Sequence, residues 1–339
     1  MKPLTLGRIV SLCGLLAFVL FCVVVISLKV GAFPVPVLDV ARTLLRSAVG
    51  RKDLVPSDYQ VVILNLRLPR ILLGILVGMA LSVAGAGFQA LLRNPLADPY
   101  VLGVSSGAAL GAILALMMAH RFPFAEETAA FVGAGITIGA VYFLGKRGGQ
   151  LDSSTLLLAG IICASFLSAV IMFLMTLLPG RDLRGMAFWL MGDLSSPPTI
   201  SVIGLLLLVV TVIVVVIYAT SADLNLILTG EQEARHLGVN VGLVKVVVYA
   251  GASLLTGVAV ALSGAIGYVG LLVPHVMRML FGSDYRVLIP TSAIGGAIAI
   301  VAADALARTV VAPTELPVGA MTAIAGAPVF IYLLRRSVR

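Results

Sequence analysis

Hydrophobic positions along this chain fall in long, near-continuous runs separated by brief polar breaks, not in the one-sided stripes of a water-exposed helix. A helix needs about 20 apolar residues to cross a bilayer. On that rule the pattern predicts ten spanning helices, near 9–30, 68–91, 99–118, 128–145, 155–178, 199–219, 243–263, 268–281, 287–308 and 317–334. The run 268–281 is short for a crossing, which predicts a broken or tilted helix. An even number of crossings puts both chain ends on one side.

The break between the second and third runs has its own chemistry. Arg93-Asn94-Pro95 stops the second run, and Asp98 followed by Pro99 predicts a restart with an aspartate N-cap and proline in the first turn. Gly103, Gly107 and Gly111 then recur every four residues, a small-residue stripe that lets another backbone approach closely. The expected unit is a tight helical hairpin.

Composition narrows the class. Of 339 residues, 60% are hydrophobic and 11% charged, where a soluble domain carries about a quarter charged residues. The chain therefore reads as an all-α polytopic membrane protein in lipid, with a single transmembrane domain over 1–339. The net charge of +8 is scattered over loop ends without basic runs or interleaved aromatics, which argues against nucleic acid. Cys13, Cys22 and Cys163 fall inside apolar runs without metal-ligand spacing and read as packed thiols. Residues 9–28 are too long for a signal-peptide core and read as a retained first helix. With the long 31–66 loop and its flanks set aside, Lys and Arg concentrate on the side of the termini, which favours termini inside.

A duplication is suggested at an offset of 179 residues, where Gly78, Ala80, Gly85, Ala86, Leu92 and Pro95 meet Gly257, Ala259, Gly264, Ala265, Leu271 and Pro274. The two copies would run in opposite directions, an inverted repeat of the kind found in transporters. Chance similarity of two small-residue helices is the alternative.

Catalytic signatures are weak. Gly103-Val-Ser105-Ser-Gly107 fits a nucleophile elbow by letter, but an elbow needs a strand–turn–helix setting. His120 and His236, two of the three histidines, fall in loops, away from Ser105. Glycine-mediated packing explains the motif better. No P-loop is present, since Gly139 to Gly145-Lys146 has the wrong spacing and continues with Arg147. If ATP drives this protein, another chain binds it. Buried charges at mid-membrane, the mark of an ion-coupled secondary transporter, are nearly absent; Asp304, near a helix end, is the main exception.

Three regions remain as candidate sites. The loop 220–242 contains Glu231, Ala234, Leu237 and Gly238, where Ala234 and Leu237 share one face of a short helix that Gly238 would end. Such a helix can dock in a partner's groove; an ordinary solvated loop is the alternative. On the opposite side, Arg67 and Arg70 open the second run and Arg308 closes the ninth. They read either as headgroup-seeking ends or as a basic patch for an acidic protein. Asp304, one turn before Arg308, could pair with it locally. In the fifth run Ser165, Ser168, Met172, Met175 and Thr176 recur at helical spacing as one polar-to-soft face, suited to a pathway for a bulky solute or to helix packing.

Taken together, Arg67-Leu-Pro-Arg70, Arg93-Asn-Pro-Leu-Ala-Asp-Pro99, Leu102-Gly-Val-Ser-Ser-Gly-Ala108, Phe188-Trp-Leu-Met-Gly192, Ala234-Arg-His-Leu-Gly238, Gly267-Tyr-Val-Gly-Leu-Leu-Val-Pro-His275, Glu315-Leu-Pro-Val-Gly319 and Gly326-Ala-Pro-Val-Phe330 span nearly the whole chain. In that order they resemble the permease subunits of ABC importers for ferric siderophores, haem and vitamin B12.

The resemblance implies the type II ABC importer permease architecture: ten helices, a homodimer around the path, two separate ATP-binding cassette subunits that hold ATP and Mg, and an external solute-binding protein. It implies a multi-pass protein of the bacterial plasma (inner) membrane with cytoplasmic termini, which does no bond chemistry and binds no cofactor or metal itself. Carried over residue by residue, ATPase coupling falls on Gly230, Glu231, Ala234, Leu237 and Gly238, and binding-protein docking on Arg67, Arg70 and Arg308. A cytoplasmic gate falls on Ser153 and Ser154, and the pathway on the helix carrying Ser165, Ser168, Met172, Met175 and Thr176. The implied cargo is a bulky metal chelate, ferric siderophore first and haem or corrinoid close behind.

Overall fold

The computed structural model describes residues 5–31, 33–50, 56–118, 125–147 and 150–337. His120 and Arg121 lie outside them. The chain order is α1 (Leu6–Lys29), α2 (Val37–Ala48), α3 (Ser57–Tyr59), α4 (Leu68–Leu91), α5 (Val104–Met117), α6 (Ala125–Leu144), α7 (Ser153–Met175) and α8 (Gly180–Leu190). It continues with α9 (Ile200–Ala219), α10 (Ser221–Thr229), α11 (Glu231–His236), α12 (Val241–Ser263), α13 (Val269–Phe281), α14 (Tyr285–Ala307) and α15 (Val318–Ser337). Among the described residues the only strands are the two-residue pair β1 (Lys146–Arg147) and β2 (Gln150–Leu151).

Seven helices are long and apolar enough to cross a membrane, and shorter apolar helices begin at Val104, Val269 and Val318. All ten coincide with the predicted runs. Polar caps set their starts: Asp152 accepts from Thr155 N at 2.8 Å, Asn240 from Leu243 N at 3.1 Å and Asp284 from Arg286 N at 2.9 Å.

The most buried helix is α4, which packs against α12, α13 and α14. Small residues make that possible. A Cβ added at Gly78 would fall on the Gly296 carbonyl, and one at Gly85 on the Gly270 carbonyl. Backbones in lipid gain their contacts in this way, because apolar burial alone distinguishes helix from lipid very little. By contrast α1, α7 and α9 keep broad apolar surfaces exposed, including Phe18, Phe166 and Leu205.

The hairpin after α4 departs from expectation. Asp98 does cap a turn, accepting from Tyr100 N at 2.8 Å, but that turn is a 3₁₀ segment, Pro99–Leu102. Gly103 ends it in the left-handed region (φ 74°), and the α-helix starts only at Val104. Gly103 therefore lies outside the helical stripe. Gly107 and Gly111 do stack, against Gly133 with Thr137 and against Ala129 of α6.

The second half repeats this order. After α12 a non-helical stretch with Tyr268 at φ 69° precedes the short α13. The two stretches meet: Tyr100 Oη donates to Ile266 O and accepts from Ile266 N, both at 3.0 Å. The end of α4 lies beside the first half of α12 (Gly87 against Val248 and Ala252, Phe88 edge-on to Tyr249), so α4 and α12 run in opposite senses. The 179-residue match pairs Gly78 with Gly257 inside both helices. It fails from Gly85 onward, because its partner Gly264 lies past the end of α12 at Ser263 while α4 continues to Leu91.

Candidate functional sites at the two faces

Contacts fix which ends share a face. At the face opposite the termini, the last turn of α1, the first of α4 and the last of α14 meet through Arg67, Arg70 and Arg308. A π-helical segment, Gln60–Arg67, leads into α4 and ends on the first of these arginines.

All three are buried, at 6%, 6% and 7% exposure. Arg67 donates to Leu28 O at 2.6 Å and Lys29 O at 3.3 Å, capping the C-terminus of α1. Arg70 pairs with Asp304 at 2.7 Å and Glu315 at 2.6 Å. Arg308 pairs with the other oxygen of Asp304 at 2.9 Å and donates to Ser27 Oγ at 2.7 Å. The local pair foreseen between Asp304 and Arg308 is present, and a third member, Arg70, joins it. The arginines do not reach outward as headgroup-seeking ends. They line one cavity of about 270 Å³ together with Phe33, Ser195 and Glu315, whose side chain is 48% exposed.

On the terminal face, α10 and α11 form a short hairpin. Gly230 (φ 156°) and Gly238 (φ 87°) bound α11. A Cβ at Gly230 would meet the Glu233 carboxylate. Ala234 is fully buried while Leu237 is 67% exposed. The Leu237 N–H still bonds Glu233 O at 3.1 Å, so Leu237 closes the last turn of the helix, and it projects outward where the small Ala234 packs against the bundle. Glu231 points inward: its Oε1 lies 2.7 Å from Lys245 Nζ and 3.1 Å from Arg93 Nη2. Asn225 of α10 donates to Asp284 at 2.8 Å and accepts from Tyr285 N at 3.0 Å, pinning the hairpin to the start of α14.

Ser153 and Ser154 open α7 beside this site. Ser153 Oγ donates to Leu91 O at 2.8 Å, and the exposed Ser154 donates to its neighbour Asp152 at 2.7 Å. Both line a cavity of about 440 Å³ with Arg93, Leu151, Asp152, Glu231 and Lys245. Sequence reasoning missed Lys245 and Arg93. A lysine in the second turn of an apolar helix was the available signal.

Along α7 the supposed single face divides. Ser165, Met172 and Thr176 are exposed, whereas Ser168 and Met175 are half-buried. Ser168 Oγ sits 3.5 Å from Ser106 Oγ of α5, and Met175 packs on the core. Ser105 is the second residue of α5, which follows a left-handed glycine at the break of a helix and not an elbow after a strand. Among the described residues no cluster of three or more His, Cys, Asp or Glu is placed to hold a metal ion.

The profile of the FecCD transport family matches residues 7–336. The chain belongs to the FecCD transport family. Relatives include the cobalamin import system permease protein BtuC of Halobacterium salinarum, 42% identical over 91% of this chain and 82% of its own length. The hemin transport system permease protein HmuU of Yersinia pestis is 41% identical over 80% of this chain and 83% of its own. Among solved structures, a metal-chelate type ABC transporter in an inward-facing conformation superposes with a TM-score of 0.79 at 30% identity, covering 96% of this chain and 99% of that one. This FecCD protein is thus a multi-pass membrane permease of the iron-chelate ABC importer type, and the helix order above is that architecture.

Proposed function

We propose that this chain forms, as a homodimer, the path of an ATP-driven importer that moves a bulky metal chelate into the cytoplasm by alternating access. The carrying observation is a division of labour between the faces. The terminal face, which we take as cytoplasmic, presents Leu237 at the end of a six-residue helix, the pair set between Gly230 and Gly238. That projection suits a groove on an ATP-binding cassette subunit. The opposite face presents the cavity around Arg67, Arg70 and Arg308, to which a carboxylate of the solute-binding protein docks by replacing Glu315 on Arg70.

ATP and Mg belong to the partner ATPases, and this subunit moves without bond chemistry. The exposed stripe Ser165, Met172 and Thr176 faces the path, and the start of α7 at Ser153 and Ser154 is its cytoplasmic gate. The relatives are named for cobalamin and hemin, which supports corrinoid or haem cargo; ferric siderophore stays the first-ranked cargo on the family resemblance alone. The near-equal identities to both relatives suit a path that reads cargo weakly, with selectivity in the binding protein. An ion-coupled mechanism draws little support, because Asp304 is already engaged by two arginines.

Purification in mild detergent from the native host tests this. A stoichiometric ATP-binding subunit in the eluate is the expected result; a permease that elutes alone contradicts it.

A further inference from the structure

Glu231 belongs to the loop expected to touch the ATPase, yet its carboxylate faces into the permease. Lys245, on the second turn of α12, has a side chain only 10% exposed, and its Nζ donates to Leu151 O at 3.2 Å as well as to Glu231. Arg93 follows α4 in the left-handed region (φ 49°), and its Nη2 also donates to Ile227 O at 3.0 Å. The two cations thus hold one carboxylate from α12 and from the turn that follows α4.

Both also adjoin the start of α7. Lys245 holds Leu151, the residue before the α7 cap Asp152. Arg93 lies two residues from Leu91, whose carbonyl accepts the Ser153 hydroxyl. All of these except Leu91 line the same cavity. Meanwhile α11 is joined to the chain through Gly230 and Gly238, both in positive-φ conformations that only glycine adopts freely. A push on Leu237 from outside would be absorbed at those two glycines unless something ties the helix to the bundle. Beside the buried Ala234, Glu231 supplies such a tie, to Lys245 and Arg93.

We infer that Glu231, Lys245 and Arg93 form a latch that transmits movement of α11 to the cytoplasmic end of α7, making Glu231 a positioning residue inside the permease and not an ATPase contact. The inference rests on the proposed ATP-driven function. Its physical content is that charge-assisted bonds between rigid elements carry displacement where glycine linkers do not.

The test uses the permease co-purified with its ATPase, with Cys13, Cys22 and Cys163 replaced by Ser and Ser154→Cys introduced as a reporter. Labelling by a water-soluble maleimide is compared without nucleotide and with ATP plus vanadate. The parent is expected to change its labelling rate severalfold between the two states. In E231Q the complex still assembles and hydrolyses ATP, but the change in labelling collapses; combining Glu231→Lys with Lys245→Glu restores much of it. An assembled, hydrolysing E231Q complex with the parent's full change overturns the latch. So does an E231Q permease that folds but no longer binds the ATPase, because Glu231 would then be a contact. If the parent itself lacks a bound ATPase, the proposed function falls instead, a distinguishable result.

Discussion

Arg70 and Asp304 stand 234 residues apart in the chain and 2.7 Å apart in the fold, both almost wholly buried. Asp304 gives its second oxygen to Arg308, so one carboxylate bridges two guanidiniums at the ends of α4 and α14. Asp304→Ala would leave Arg308 without a carboxylate and Arg70 with only the half-exposed Glu315. Breaking a buried pair in this way costs about 3–5 kcal/mol, so the melting temperature in detergent should fall sharply. The half-buried cysteines can report it through a thiol-reactive dye. Glu315→Gln removes only a half-exposed partner of Arg70. It should change stability by about 1 kcal/mol or less while tightening the solute-binding protein, because Arg70 is freed for an incoming carboxylate. Unchanged or weakened binding in that variant contradicts the docking reading. Reversing Arg67 or Arg70 is less informative, since it breaks the internal network itself.

Close packing around α4 gives a second prediction. Gly85→Ala sets a methyl group on the Gly270 carbonyl and must push α4 and α13 apart, with loss of folded yield. Gly135→Ala in α6 meets nothing within 4 Å. That change should be neutral or stabilising by about 0.5–1 kcal/mol, the helix-interior gain over glycine. Size-exclusion profiles of the two variants side by side provide the check. A monodisperse Gly85→Ala protein of parental stability contradicts the account of the core.

Much of this was legible in the sequence, for identifiable reasons. Spanning helices announce themselves by composition, so all ten predicted positions carry helices. The late start of α5 was not legible: Asp98-Pro99 is a sound cap signal, but nothing in the sequence says that Gly103 adopts a left-handed conformation. The fate of the arginines was hidden because the partners of Arg70 come from α14 and from the residue Glu315 before α15, and those of Arg67 are carbonyls at the end of α1. Glu231 was likewise carried over as an ATPase-coupling residue, and its inward partners Lys245 and Arg93 reach it only through tertiary packing.

The division of α7 makes a third prediction. Ser165→Trp projects into the proposed path and should remove most uptake while leaving assembly and melting temperature intact. Ser168→Trp must fit between α7 and α5 beside Ser106. Overpacking of that kind costs about 1–3 kcal/mol, so this variant should lose stability first. Equal stability losses in both variants contradict an open face at Ser165.

Asp284 supplies a pH dependence. The Arg286 guanidinium holds its carboxyl down at about 2, with help from the Arg286 backbone N–H and Asn225. A carboxylate depressed in the folded state stabilises above its ordinary value of about 3.9 and loses that contribution as the pH falls through about 2. Asp284→Asn should therefore be less stable than the parent near neutral pH. The difference should be about 1 kcal/mol or less, because the pair is partly solvent-exposed. It should close as the solution is acidified toward about pH 2. A gap that persists there refers the effect to something other than ionisation.

The most direct measurement is uptake into proteoliposomes by the permease–ATPase complex, supplied with a solute-binding protein loaded with cobalamin, haemin or a ferric siderophore. The account predicts that at least one of these cargoes accumulates only with ATP on the cytoplasmic side, that vanadate stops it, and that collapsing ion gradients does not. Accumulation that follows an imposed ion gradient without nucleotide would contradict it.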